Sequence, residues 1–133
     1  MVKGKQYITE AFEYLLKVKP DVINLSGGGK GRIPKEQRAV KNLLNAGVVI
    51  VAASGNEATN LNKNCNYFPA CYDKRIIVVG NTAKSSNYGN KVVDITLDGN
   101  NINVLGKVMS GSSQSTAIFT GLLTENLIRN RVK

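Results

Sequence analysis

Apolar residues recur at helical spacing from Ile8 to Val18, where Ile8, Ala11, Phe12, Leu15 and Leu16 fall on one face. Thr9 and Glu10 stand near the start of this stretch and Pro20 lies just past its end, which predicts a surface helix covering a core. DVINLS then reads as a short buried strand, and GGGKGRIP as a loop. KEQRAVKNLLNAG returns to helical spacing, with Ala39, Val40, Leu43 and Leu44 inward and Gly47 beyond the end. GVVIVAAS is apolar on both faces, the pattern of a parallel strand covered by helices. A long polar loop from Gly55 to Arg75 separates it from IIVVG, a third buried strand, after which NTAKSSNYGN is rich in turn formers. KVVDITLDGNNINVLG predicts a hairpin with its turn at Asp98 to Asn101, on the strength of the Asp-Gly pair. The chain closes on a helix from about Ser113 to Arg131, with Ala117, Ile118, Gly121, Leu122, Glu125, Leu127 and Ile128 setting its faces.

Helices alternating with apolar strands predict an α/β fold of three layers, a mostly parallel sheet flanked by helices. At 133 residues, 42% of them hydrophobic and 20% charged, the chain makes one domain able to bury about two-thirds of its unfolded surface. No apolar run approaches the roughly 20 residues of a membrane span, and the first residues lack the apolar core of a signal peptide. The expectation is a soluble chain with no membrane partner, its compartment left open. A net charge of +9, from 18 Lys and Arg against nine Asp and Glu, raises the question of nucleic acid. The basic residues are spread along the chain and Phe12, Tyr14, Tyr67, Phe68 and Tyr88 do not interleave with them, so a solvated surface is expected and no nucleic-acid partner. Cys65 and Cys71 lie close enough in NKNCNYFPACYD to close a local disulfide in an oxidising compartment. Two thiols in a chain without histidine make a poor zinc site, and no metal site is predicted.

Ligands of such sheets bind beyond the carboxyl ends of the strands, where three small-residue loops fall here: Ser26 to Gly29, Ser54 to Asn56, and the run before Ser113. Gly27, Gly28 and Gly29 let another backbone come close. One reading of GGGKGR is a phosphate cradle with Lys30 and Arg32 as counter-charges. Neither phosphate-loop spacing is met, however, since Arg32 stands where the last glycine of G-x-G-x-x-G belongs, and a flexible loop with two basic residues is the plainer reading. Ser113 falls at the first turn of a helix, where an oxyanion would be stabilised by the dipole and the free amides. The alternative is that Ser110, Ser112 or Ser113 simply caps that helix. The G-x-S-x-G elbow is not met, because Ser115 replaces its second glycine. Asn56 is either a turn residue after Gly55 or an amide donor to an oxyanion. With no histidine, the chain cannot assemble a Ser-His-Asp triad by itself.

Four stretches in order resemble the carboxyl-terminal half of a subtilisin-like serine peptidase, a subtilase. DVINLSGGG is similar to V-I-N-x-S-x-G-G, and VVIVAASGNE to V-x-V-A-A-A-G-N-E. NYFPA, IIVVGNT and SSNYGNKVVDI resemble Y-P-A, V-I-x-V-G and S-x-[YF]-G-x-x-V-D, and SGSSQSTAIFTG resembles S-G-T-S-M-A-[ST]-P-x-V-x-G. The resemblance implies that Ser113 is the nucleophile and that the Asn56 side chain completes the oxyanion hole. It further implies that Ser26, Gly27, Gly28, Ala53, Ser54 and Gly55 line a groove for a peptide or protein substrate. Ser112 stands in place of Thr, Ser115 in place of Ala, and Ala117 where many members have Pro, while TLDG replaces A-P-G. The motifs D-[ST]-G and H-G-[TS], which carry the family's aspartate and histidine, do not occur.

Residues 1–133 are therefore expected to form a partial, subtilisin-like domain that lacks the segment bearing Asp and His. On this reading the chain is a serine endopeptidase fragment, inactive alone and dependent on another segment or chain for its acid–base groups. The alternative is a non-catalytic remnant that binds extended peptides or a partner chain. No cofactor is expected. Family members are often secreted and calcium-bound, but no complete calcium loop is visible. An unpaired edge at DVINLS would also favour self-association of the isolated chain.

Overall fold

The computed structural model describes residues 3–132. Helix α1 (Lys3–Val18) leads into strand β1 (Val22–Leu25), helix α2 (Pro34–Asn45) and strand β2 (Val49–Ala53). Strands β3 (Ile77–Asn81) and β4 (Ile95–Leu97) follow, then a hairpin of β5 (Ile102–Val104) and β6 (Lys107–Met109), and helix α3 (Ser112–Arg131). The first four strands form one parallel sheet in the order β1-β2-β3-β4, with Ile23 opposite Ile50, Ala52 opposite Val78 and Val79 opposite Ile95.

Alternation along these strands divides the core. Ile23, Ile50, Ala52 and Val78 pack with Phe12 of α1 and with Val40 and Leu43 of α2. The intervening Val51, Ala53 and Val79 are buried on the opposite face, where α3 crosses the sheet. Pro34 opens α2, where its fixed φ and missing N–H cost nothing. No helix among the described residues is long and apolar enough to cross a membrane.

Four expectations need correction. In α1 the inward residues are Thr9 and Phe12, with Leu15 and Leu16 partly covered, while Ile8 and Ala11 are exposed, because the helix meets the core on a narrower stripe than its apolar pattern suggests. The stretch from Gly55 to Arg75 is a loop, as expected, but not polar throughout, since Leu61, Tyr67, Ala70 and Tyr72 belong to the core. Its Cys65 and Cys71 are joined in a disulfide. The predicted hairpin is displaced. Ile95–Leu97 extends the parallel sheet beside β3, and the antiparallel pair begins only at Ile102, turning at Leu105 and Gly106. Both turn residues have positive φ, 51° and 78°, which suits the twist of a tight hairpin. Asp98 instead folds back on Asn100, whose N–H its carboxylate accepts at 3.0 Å.

The fourth correction concerns α3. Its buried residues are Ser112, Ser115 and Thr116, while Ile118, Leu122 and Ile128 are 37%, 56% and 58% exposed. Its inward face runs through these hydroxyls and the partly covered Phe119, Leu123 and Leu127, not through Ile118, Leu122 and Ile128. Hydrogen bonds anchor it at both ends: Ser112 accepts the Gly55 N–H at 3.2 Å, and Arg131 forks onto the Asp21 carboxylate at 2.5 and 3.1 Å.

Candidate active site

The three small-residue loops converge at one edge of the sheet, where β1 and β2 end and α3 begins. Gly111 precedes α3 with φ of 150°, a conformation open to glycine, and no side chain caps the helix. The three serines that follow the hairpin have other partners. Ser110 accepts the Asn101 N–H, and the buried Ser112 accepts the Gly55 N–H. Ser113, half-buried, donates from Oγ to the Ser26 carbonyl at 2.6 Å. The capping alternative thus finds no support in the geometry, which leaves Ser113 on the first turn of α3, where amides have no intrahelical acceptor.

Asn56 follows directly. Its Oδ1 accepts the Ser112 N–H at 2.9 Å. Because an N–H needs an acceptor, this bond fixes the orientation of the amide and leaves Nδ2 as the outward donor. The exposed Asn56 amide stands beside Gly111, where an added Cβ would lie 3.3–3.4 Å from its oxygen and nitrogen. At Gly99, between β4 and the hairpin, a Cβ would come within 2.4 Å of Ser115 Oγ and 2.6 Å of the Gly111 carbonyl. No larger residue fits there without moving the start of α3.

The Ser26–Gly29 loop is a wall of this site. Gly29 and Phe68 exchange two main-chain hydrogen bonds, at 2.9 and 2.8 Å, as an antiparallel bridge. Tyr67 wedges between the loops: a Cβ at Gly28 would stand 2.6 Å from one edge of its ring, and a Cβ at Gly55 2.7 Å from the other. Burial, and then the Glu57 carboxylate, raise the Tyr67 hydroxyl above its ordinary pKa, so it stays protonated. Arg32 forks onto Gln37 at 2.8 and 2.6 Å, and the Gly29 amide is engaged by Phe68. The loop therefore does not present itself as a phosphate cradle. Beyond its rim lies an apolar cavity of about 330 Å³ lined by Ile8, Phe12, Leu25, Ile33, Phe68 and Pro69.

Ala53 and Ser54 are closed off from solvent, at 1% and 0% exposure. The Ser54 N–H binds the Val79 carbonyl, and Asn87 donates from Nδ2 to the Ser54 carbonyl and from its own N–H to that of Gly55. These residues form a buried floor beneath the loop of Ser26 to Gly28, in which the Ser26 carbonyl is taken by Ser113 Oγ. Ser113's partners are the hydroxyl and carbonyl of Ser26, neither of which can accept its proton as a base at neutral pH. Among the described residues no three His, Cys, Asp or Glu side chains are grouped to hold a metal ion.

The family profile described as the Subtilase family matches residues 3–129. This chain belongs to the subtilase family. A crystal structure of a cold adapted subtilisin-like serine proteinase superposes on it with a TM-score of 0.78 and 27% identity, covering 92% of this chain and 47% of the other. An extracellular serine proteinase of Thermus sp. (strain Rt41A) is 36% identical over 133 residues, which take in 91% of this chain and 30% of that protein. The major intracellular serine protease of Bacillus subtilis (strain 168) is 31% identical over 103 residues, 73% of this chain and 32% of that one. The chain spans 27% to 39% of the length of such curated relatives.

In this subtilase the residue with the largest share in holding the site is one that its sequence context hides. Asn87, 2% exposed, accepts the Glu57 and Thr59 N–H groups on Oδ1 at 3.1 and 2.9 Å, and donates from Nδ2 to the Ser54 carbonyl and the Glu57 carboxylate at 2.8 and 2.6 Å. All four hydrogen-bonding positions of its amide are engaged, and together they fix the turn that carries Asn56. In the run SSNYGN it reads as one turn former among several. Only the neighbouring Tyr88 and Gly89, which match the family's aromatic–glycine pair, mark the stretch as unusual.

Proposed function

We propose that this chain carries the nucleophile and the oxyanion hole of a serine endopeptidase centre, with Ser113 as the attacking hydroxyl. The Asn56 Nδ2 and the Ser113 main-chain N–H would hold the oxyanion of the tetrahedral intermediate. Ser26, Gly27 and Gly28 would pair with an extended peptide by strand addition over the floor of Ala53, Ser54 and Gly55. A histidine and a carboxylate supplied from outside these 133 residues, by another segment or a partner chain, would accept the Ser113 proton and orient the base. The observation that carries this reading is the placement of Asn56: the Ser112 N–H locks its amide so that the donor, not the acceptor, faces outward beside the first turn bearing Ser113.

The test is complementation. The chain is combined with a segment containing the family's D-[ST]-G and H-G-[TS] motifs, and hydrolysis of a peptide anilide is followed. Turnover that disappears in Ser113→Ala is the expected result; equal turnover in Ser113→Ala overturns the assignment. A second reading, peptide binding without chemistry, draws on the Ser26 carbonyl holding the Ser113 proton. Peptide affinity retained in Ser113→Ala, with no turnover in any complemented form, would decide for it.

A further inference from the structure

A single file of polar side chains ends on Ser113. Thr120 lies seven residues further along α3, two turns on, and so faces the same side as Ser113. Its Oγ1 donates to Asn24 Oδ1 at 2.8 Å, and Asn24 Nδ2 donates to Ser26 Oγ at 2.8 Å. Ser26 Oγ donates to the Ser113 carbonyl at 3.0 Å, and Ser113 Oγ returns a bond to the Ser26 carbonyl at 2.6 Å.

Thr120 has one proton and two acceptors at 2.8 Å, Asn24 Oδ1 and the Thr116 carbonyl, and with Asn24 Oδ1 turned toward Thr120 its Nδ2 is the donor to Ser26. An amide nitrogen donates and cannot accept, so Ser26 Oγ receives from Asn24 and its own proton is directed to Ser113. Asn24 sits in the middle of the VINL strand, a position where asparagine is disfavoured and where its neighbours Ile23 and Leu25 are the residue types a strand selects.

We propose that Asn24 and Thr120 are positioning residues for Ser113. By committing the Ser26 hydroxyl to the Ser113 carbonyl, they hold Ser26 where its own carbonyl fixes the side-chain rotamer of Ser113 before a substrate arrives. The role in catalysis rests on Ser113 being the reacting serine; the rotamer control does not, and it is measured without a reaction.

The experiment is NMR on the isotopically labelled full chain, with the three-bond couplings of Ser113 reporting its χ1 populations. One dominant rotamer is expected in the unaltered chain and in Thr120→Ser. Thr120→Val keeps the shape and loses the proton; Asn24→Asp keeps the acceptor and loses the donor. In both, the ratio of the major rotamer to the others falls about fivefold, the effect of losing one hydrogen bond of ordinary strength. Unchanged populations in both variants overturn the proposal, as does rotamer averaging already present in the unaltered chain. Asn24 is exposed, so Asn24→Asp gives a folded variant even if Thr120→Val does not. Couplings that respond as expected, alongside complemented turnover that survives Ser113→Ala, would leave the positioning intact and remove the catalytic role of the serine.

Discussion

If Asn56 is the proposed oxyanion donor, Asn56→Ala is expected to lower kcat of the complemented assembly about 100- to 1000-fold while leaving KM nearly unchanged, a magnitude known for a single oxyanion-hole donor in a subtilisin. The donor acts on charge that develops only in the transition state, so ground-state affinity does not register its loss. Asn56→Asp separates the two jobs of the amide. A carboxylate still accepts the Ser112 N–H and keeps the start of α3 in place, yet it has no proton to give an oxyanion and adds repulsion. Asn56→Asp is therefore expected to match the fold stability of the unaltered chain and to be at least as poor a catalyst as Asn56→Ala. Steady-state kinetics beside thermal melts check both halves. A kcat within threefold of the unaltered assembly in both variants would show that Asn56 is a turn residue and no more.

Asn87→Ala is the largest expected loss of stability, about 3 kcal/mol, or on the order of 10 °C in Tm. The truncation strands the Glu57 and Thr59 amides and the Ser54 carbonyl beside a buried site, and frees the Glu57 carboxylate from its donor. Gly55 is packed tightly in the unaltered chain. Its Cα faces the Asn87 amide, the Glu57 carboxylate and the Tyr67 ring at distances that leave no room for a Cβ, and its φ of 99° is one that glycine tolerates. The turn bearing Asn56 then loosens first, so amide exchange at Glu57 and Thr59 should accelerate ahead of global unfolding. Melting curves and hydrogen exchange measure the two effects, and a Tm within 2 °C of the unaltered chain would contradict the account.

Much of the scaffold was legible because strands buried on both faces must be apolar throughout. VVIVAAS and IIVVG have no other economical reading, and the periodicity of KEQRAVKNLLNAG places Ala39, Val40 and Leu43 inward, as found. The site was legible through four motif stretches, which pointed to Ser113 and Asn56 while spacing alone left both open. What escaped was everything held by polar side chains. Asn87, Asn24 and Thr120 have no periodic signature, and each takes its meaning from at least one distant partner, 28 to 33 residues away for Asn87 and 96 for the Asn24–Thr120 pair. The displaced hairpin has a related cause. Asp98-Gly99 and Leu105-Gly106 are both competent turns, and only the pairing of Ile95–Leu97 with β3 selects between them.

Helix α3 divides its apolar residues, with Phe119, Leu123 and Leu127 partly covered beside the inward hydroxyls and Ile118, Leu122 and Ile128 toward solvent. Thr116 and Thr124 bond back into the helix itself, Thr120 also reaches Asn24, and the ends are tied to Gly55 and Asp21, while Ile118, Leu122 and Ile128 stay in water when the helix docks. Hydration of apolar groups is what gives unfolding its large heat-capacity increment. With Ile118, Leu122 and Ile128 wet in the folded state, α3 adds less to that increment than a helix with a fully buried apolar face, and the free energy of this chain varies correspondingly more gently with temperature.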